Sequence, residues 1–239
     1  MKAFLITNSS KGDSLNLARV CKQSVLDTGT NLEVHQFDAI EPPRLYEHII
    51  DIFGEHVSWT WPKQDADNGL DLKTGLYKRA YQAFDQNRVI ACALSHYKLW
   101  KKCADINETI VILEHDALFT KEFNPEKYLT DPSWGAIGLN NPRGNTRKGR
   151  LFYDMVSQKE GVQVVPTIDT PDEPPLPMGL AGNSAYMIRP FFAKKLLAGV
   201  KEYGMWPNDA IMCKQLFPEL RVVYPFYTET QKNVSSTTK

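Results

Sequence analysis

The run Thr109-Ile110-Val111-Ile112-Leu113 constrains this chain more than any other segment, because five β-branched or leucine residues in a row do not alternate between a wet and a dry face. Such a run predicts a strand buried on both sides, and burial on both sides requires helices above and below the sheet that holds it. The run stops at Glu114-His115-Asp116, which places two carboxylates at the strand's C-terminal end. That edge is where an open α/β sheet binds its ligands, since the strand fixes the side chains while the loop beyond stays open.

The rest of the chain supports an α/β fold, a mixed, mostly parallel sheet flanked by helices. Apolar runs of strand length alternate with segments of helical period. Residues 3–7 predict the first strand, 14–26 a helix and 32–38 the second strand. From Asn87, the residues Val89, Ala93, Tyr97 and Trp100 recur at helical spacing while Lys98, Lys101 and Lys102 fall off that stripe, an amphipathic helix. Residues 136–140, 183–189 and 220–226 predict further strands. Pro190 suits the first turn of a helix running to Val200, and Pro207 could open another. Residues 41–84, with Pro42-Pro43 and Trp59-Thr60-Trp61-Pro62, read as insertion and loop. One domain over residues 1–239 accommodates all of this.

Composition narrows the function classes. Lysine plus arginine equals aspartate plus glutamate at 28 each, so the chain lacks the overall basic bias of a nucleic-acid binder. No stretch reaches the ~20 apolar residues of a membrane span, and the N-terminal apolar run is too short for a secretion signal, so a cytoplasmic location is expected. Cys21, Cys92, Cys103 and Cys213 form no CxxC pair and read as reduced thiols.

For chemistry, the acidic strand end comes first. A nucleoside diphosphate leaving group gathers negative charge, and a divalent ion held by a carboxylate neutralises it. Asp116 is the leading metal-ligand candidate, with Glu114 second; a polar strand terminus is the plain alternative. Ser95 and His96 are adjacent on a helix, so their side chains diverge by ~100° and cannot form a nucleophile pair. The basic segment 143–150 suits either a phosphate grip or a solvated loop. The proline-rich stretch 169–182 reads as a lid. Trp59 and Trp61 suit stacking on a sugar ring or plain packing.

Several motifs in order resemble glycosyltransferase family 25, the group of bacterial lipopolysaccharide glycosyltransferases and collagen galactosyltransferases. Arg88 to Trp100 is similar to the family's G-x-x-G-C-x-L-S-H-x-x-x-W helix, and Ile112 to Phe119 to its I-L-E-D-D strand end. Gly182 to Ile188 followed by Ala193 to Leu197 resembles the later strand and helix. Asn208-Asp209, Pro225, Gln231 and Ser235 or Ser236 resemble its closing positions. The resemblance covers residue 88 onward, with residues 37–39 and the first strand also similar.

This resemblance implies a GT-A type nucleotide-binding fold and inverting transfer of a sugar from a nucleotide-sugar, a UDP-sugar with Mn²⁺ or Mg²⁺, onto a hydroxyl of a glycan, glycolipid or protein side chain. It assigns Asp116 and Glu114 to the metal, and Thr7, Asn8, Asp38, Ser95, His96, Glu114, His115 and Gln231 to the donor. Asp209 is the candidate base, with helix capping as its equal alternative. Two departures stand out. His115 replaces the family's middle aspartate, which leaves metal affinity and choice open, and Ile6-Thr7-Asn8-Ser9 replaces its I-N-L. Two rival readings are a non-catalytic sugar-nucleotide or glycan binder of the same fold, and an HD-type metallophosphohydrolase built on His115-Asp116, which would need that pair on a helix.

Overall fold

A computed structural model describes residues 1–42, 48–50, 56–83, 85–143 and 148–231. Strand β1 (Lys2–Thr7), helix α1 (Gly12–Asp27) and strand β2 (Glu33–Asp38) form a βαβ unit in which β1 and β2 pair in parallel, Thr7 opposite Asp38. Two short hairpins follow, β3 (His48–Ile50) with β4 (His56–Ser58), and β5 (Gly69–Asp71) with β6 (Leu76–Lys78). Helix α2 (Gln86–Ile106) then leads into β7 (Ile110–Glu114). Next come β8 (Ala117–Phe119), α3 (Glu126–Leu129), β9 (Ala136–Gly138), α4 (Gly149–Val156) and β10 (Gly161–Val164). The last elements are β11 (Ala185–Ile188), α5 (Pro190–Tyr203), α6 (Asn208–Ile211), β12 (Leu220–Tyr224) and β13 (Thr228–Thr230).

The main sheet has seven strands in the order β10-β12-β9-β11-β7-β1-β2. Strands β2, β1, β7, β9 and β12 run one way, while β11 and β10 run against their neighbours. The sheet is therefore mixed and mostly parallel, with helices on both faces. β7 lies between β1 and β11, and its first four residues are fully buried. Their alternation divides the core: Ile110 and Ile112 pack with Tyr97, Trp100, Phe192 and Leu196, whereas Val111 and Leu113 pack with Ala18, Cys21 and Val25. Each such aliphatic side chain contributes roughly 1.5–3 kcal/mol by leaving water.

Helix α2 starts where the Asp85 carboxylate accepts the Asn87 N–H at 2.9 Å, and it ends at Asn107, whose φ of 53° is left-handed. The segment expected as insertion and loop contains the two hairpins. The basic segment expected as a loop instead opens α4 at Gly149, and residues 144–147 lie outside the described ones. Pro207 caps α6 rather than occupying its first turn. Among the described residues, no helix is long and apolar enough to cross a membrane.

Candidate active site

The C-terminal ends of β2, β1 and β7 form one edge, with Asp38 beside Thr7 and Ile6 beside Glu114. Glu114 is the last residue of β7, and its N–H donates to the Ser184 carbonyl at 2.7 Å. The two-residue period turns its side chain to the same face as Ile110 and Ile112, toward α2. There Oε1 lies 3.1 Å from Nε2 of His96. The other ring nitrogen of His96, Nδ1, is 2.8 Å from the Tyr186 hydroxyl, which also accepts the Trp100 indole N–H at 2.8 Å.

Donor chemistry orders this chain. The indole can only donate and a carboxylate can only accept, so in the neutral ring Nε2–H donates to Glu114 and Tyr186 donates to Nδ1. His96 and Trp100 are one helical turn apart, and Tyr186 stands opposite Ile112 on β11. The S-H-x-x-x-W spacing is thus a clamp between α2 and β11 that orients the carboxylate at the tip of β7. Burial holds the Tyr186 phenol well above its ordinary pKa, so it stays protonated.

Asp116 sits in the turn after β7. Its Oδ1 is closed to solvent and has no hydrogen-bond partner among the described residues. Burial, followed by the charge of Glu114, pushes its pKa up to about 7. Gln231 holds this turn from behind: its N–H donates to the Asp116 carbonyl at 2.8 Å, and its amide donates to the carbonyls of His115, Ala117 and Leu17. Gln231 therefore fastens the acidic turn to α1. Burial lowers the pKa of His115, with Glu114 acting the other way. Because His115 and Asp116 lie in a turn and not on a helix, the HD-type reading loses its geometry.

Asp209 enters from α6. Its Oδ1 accepts the Tyr81 hydroxyl at 2.7 Å. Burial raises its pKa, the Tyr81 hydrogen bond works against that rise, and the charge of Glu114 adds to it. Gly179 lets α6 approach, since a Cβ there would lie 2.1 Å from the Asp209 carbonyl oxygen. The proline-rich stretch thus reaches the site through Gly179, which also bridges to Cys213.

The remaining predicted residues shape the same edge. Thr7 is buried, donates to the Leu5 carbonyl at 3.2 Å and accepts the Ala39 N–H at its own carbonyl. Asn8 Oδ1 accepts the Ser10 N–H, and its own N–H meets Ser14 Oγ at the start of α1. Asp38 is exposed at the end of β2. Ser95 donates to the Ala91 carbonyl and accepts the Ile40 N–H at 2.9 Å, tying the chain after β2 to α2. Lys148 pairs with Glu173 at 2.6 Å and Asp169 at 3.6 Å, away from a phosphate-gripping role. Ser235 and Ser236 lie outside the described residues.

Two groups could hold a cation. Asp116 and Glu114 offer hard oxygen ligands, suited to Mn²⁺ or Mg²⁺. Cys92, His96 and Glu114 place one ligand atom each within 4.8 Å of one another. The Cys92 thiol is pushed well above its ordinary pKa, first by burial and then by Glu114, Asp209 and Asp116, and both His96 nitrogens are engaged. Asp116 Oδ1 still lacks a partner among the described residues, whereas the His96 nitrogens of the other group are both engaged. Sequence reasoning missed Cys92 and Tyr81; Cys92 stood one turn before His96, while Tyr81 lay in the segment read as loop. Asn183 Oδ1 and Ser184 Oγ beside Glu114 are also buried without partners among the described residues.

The family model for glycosyltransferase family 25 (LPS biosynthesis protein) matches residues 16–212. No curated protein matches the sequence. Among solved structures, the galactosyltransferase LgtC in complex with donor and acceptor sugar analogues is similar at 11% identity, covering 98% of this chain and 87% of that one, with a TM-score of 0.44. An active-site mutant of LgtC is similar at 13% identity, 98% and 88% coverage and a TM-score of 0.46. Mouse xyloside xylosyltransferase 1 in its apo form gives 12%, 93%, 85% and 0.42.

Proposed function

This chain belongs to glycosyltransferase family 25, and from that premise we propose that it moves a sugar from a UDP-sugar to an acceptor hydroxyl by single displacement with inversion. The observation that carries this reading is the carboxylate of Asp116, whose buried Oδ1 lacks a partner while Glu114 stands near enough to raise its pKa. Two carboxylates so placed make an acidic site at the ligand-binding edge of the sheet, with one Asp116 oxygen lacking a partner among the described residues. A divalent cation held by Asp116 with Glu114 fits that site and would supply positive charge to the departing diphosphate.

The chain's own residues account for the rest. Asp209 takes the proton of the acceptor hydroxyl as that oxygen bonds to the anomeric carbon. The bond from this carbon to the β-phosphate oxygen breaks, and its electron pair leaves with UDP. The raised pKa of Asp209 makes it a stronger base than an ordinary carboxylate. Tyr81 holds one of its oxygens in place, and His96, fixed by Tyr186, holds Glu114.

The test is UDP release from a panel of UDP-sugars, with Mn²⁺, by the wild type, Asp116→Ala and Asp209→Asn. The reading expects release by the wild type and at least about a hundredfold less transfer by either variant. Equal turnover by all three would overturn it.

A further inference from the structure

Lys78, the last residue of β6, is buried, and the transfer chemistry above makes no use of its ammonium. Its three donors are all taken: Nζ lies 2.7 Å from Asp71 Oδ2, 3.1 Å from the Thr60 carbonyl oxygen and 3.4 Å from Thr60 Oγ1. The same charge stands 4.3 Å from the centre of the Trp206 ring, a cation–π contact. An ammonium engaged on every side serves as a fastener and not as a ligand group.

Thr60 extends the fastening to the turn between α5 and α6. Its Oγ1 donates to the Tyr203 carbonyl at 2.7 Å and accepts the Trp206 indole N–H at 3.0 Å. The Thr60 N–H donates to the Met205 carbonyl at 3.1 Å, and the Met205 N–H donates to the Ser58 carbonyl at 2.7 Å. Gly204 lets the turn close on Thr60, since its φ is +82° and a Cβ there would lie 2.3 Å from Thr60 Cγ2.

The base lies a few residues further along both strands of this link. Lys78 meets Trp206, and Tyr81 meets Asp209, each partner of the second pair being three residues beyond its counterpart in the first. The segments 78–81 and 206–209 are thus tied twice in the same direction. The Trp61 ring packs against both ties, 5.9 Å from Tyr81 and 5.4 Å from Trp206.

We propose that Lys78 is a positioning residue for the base: held by Asp71 and Thr60 against Trp206, it sets the alignment of the two segments that brings the Tyr81 hydroxyl onto Asp209. The inference rests on the reading of Asp209 as the base. Lys78 acts through Tyr81 and touches no reacting atom. Glu114, His96 and Cys92 also bear on the Asp209 carboxyl, and none of them belongs to the fastening.

The test is the titration midpoint of the Asp209 carboxyl in the full chain, read from the ¹³C resonances of its aspartates and assigned through Asp209→Asn. It is measured for the wild type, Lys78→Met, Thr60→Val and Tyr81→Phe, and for the first two changes combined with Tyr81→Phe. Tyr81→Phe should raise the midpoint by about one pH unit, the loss of one hydrogen bond to a carboxylate. Lys78→Met and Thr60→Val should each raise it in the wild type, and by less than about 0.2 pH unit once Tyr81 is already phenylalanine. A through-space effect of the lost charge would add in full to the Tyr81→Phe shift, and a general loss of stability would leave the midpoint in place. Thr60 is exposed and its change is uncharged, so that variant decides the matter should Lys78→Met fold poorly. A midpoint unmoved in Lys78→Met or Thr60→Val, or a shift that persists in full beside Tyr81→Phe, would overturn the positioning role and leave Asp209 as the base. UDP-sugar turnover retained by Asp209→Asn would instead remove the base itself, and with it what Lys78 positions.

Discussion

His96 Nε2 lies 3.1 Å from Oε1 of Glu114, joining helix α2 to the tip of the buried strand β7. The carboxylate there is held by a side chain that is itself held at its other nitrogen by Tyr186. A group fixed in this way can meet a ligand without first being ordered.

Tyr186→Phe deletes the oxygen shared by His96 and Trp100, leaving two buried polar groups unpaired at nearly constant volume. The variant should lose about 2–4 kcal/mol of stability. Urea denaturation checks this, and a loss below about 0.5 kcal/mol, the level of an ordinary surface change, would show that the clamp is not structural.

Asp116→Asn should stabilise the chain, in one pH direction only. In the folded chain Asp116 titrates at about 7, above the ~3.9 of an unfolded aspartate. Between those values the folded state holds the extra proton, so stability falls as pH rises through this window and stays low above it. The variant should therefore melt higher than the wild type at about pH 8 and alike at about pH 4. Thermal melts at both values decide it; a variant that melts lower at the higher pH would contradict the burial assigned to this carboxyl.

These two residues mark what was readable beforehand. The buried run before Glu114 and the stripe on α2 are local periodicities, so their strand, helix and burial followed from sequence, as did the placing of Asp116 at an edge. The clamp was not readable, because the partners of His96 are 18 and 90 residues away. Gln231 was assigned to the donor from its position in a motif, and its Nε2 contacts to three carbonyls of the acidic turn and α1 had no local signal, since the partners are at least 114 residues away. Strands such as β8 and β10, with three and four residues, carry too short a pattern to register. The hairpins before α2 were obscured by turn-forming Asp, Asn and Gly between brief apolar stretches.

Tyr81→Phe should move the acid limb of kcat/KM to higher pH. The Tyr81 hydroxyl stabilises ionised Asp209, opposing the rise that burial causes. Without it the carboxylate takes up a proton at higher pH, and a base that is protonated cannot accept the acceptor's proton. The pH–rate profile of transfer reads this directly; an unchanged limb would separate Asp209 from base chemistry.

Gly179→Ala should lower kcat with little effect on UDP affinity. The new Cβ would lie 2.1 Å from the Asp209 carbonyl oxygen, a backbone atom that can yield only if α6 shifts. Such a shift moves the base and spares the acidic turn. Steady-state kinetics with a UDP titration separates the two effects.

The central claim, that Asp116 with Glu114 holds a cation that in turn holds a nucleoside diphosphate, is tested most directly by calorimetric titration of UDP into the wild type and Asp116→Ala, with and without Mn²⁺. The account predicts UDP binding that depends on the metal and is lost in the variant. Binding of equal strength in both proteins, or none to the wild type with any divalent ion, would contradict it.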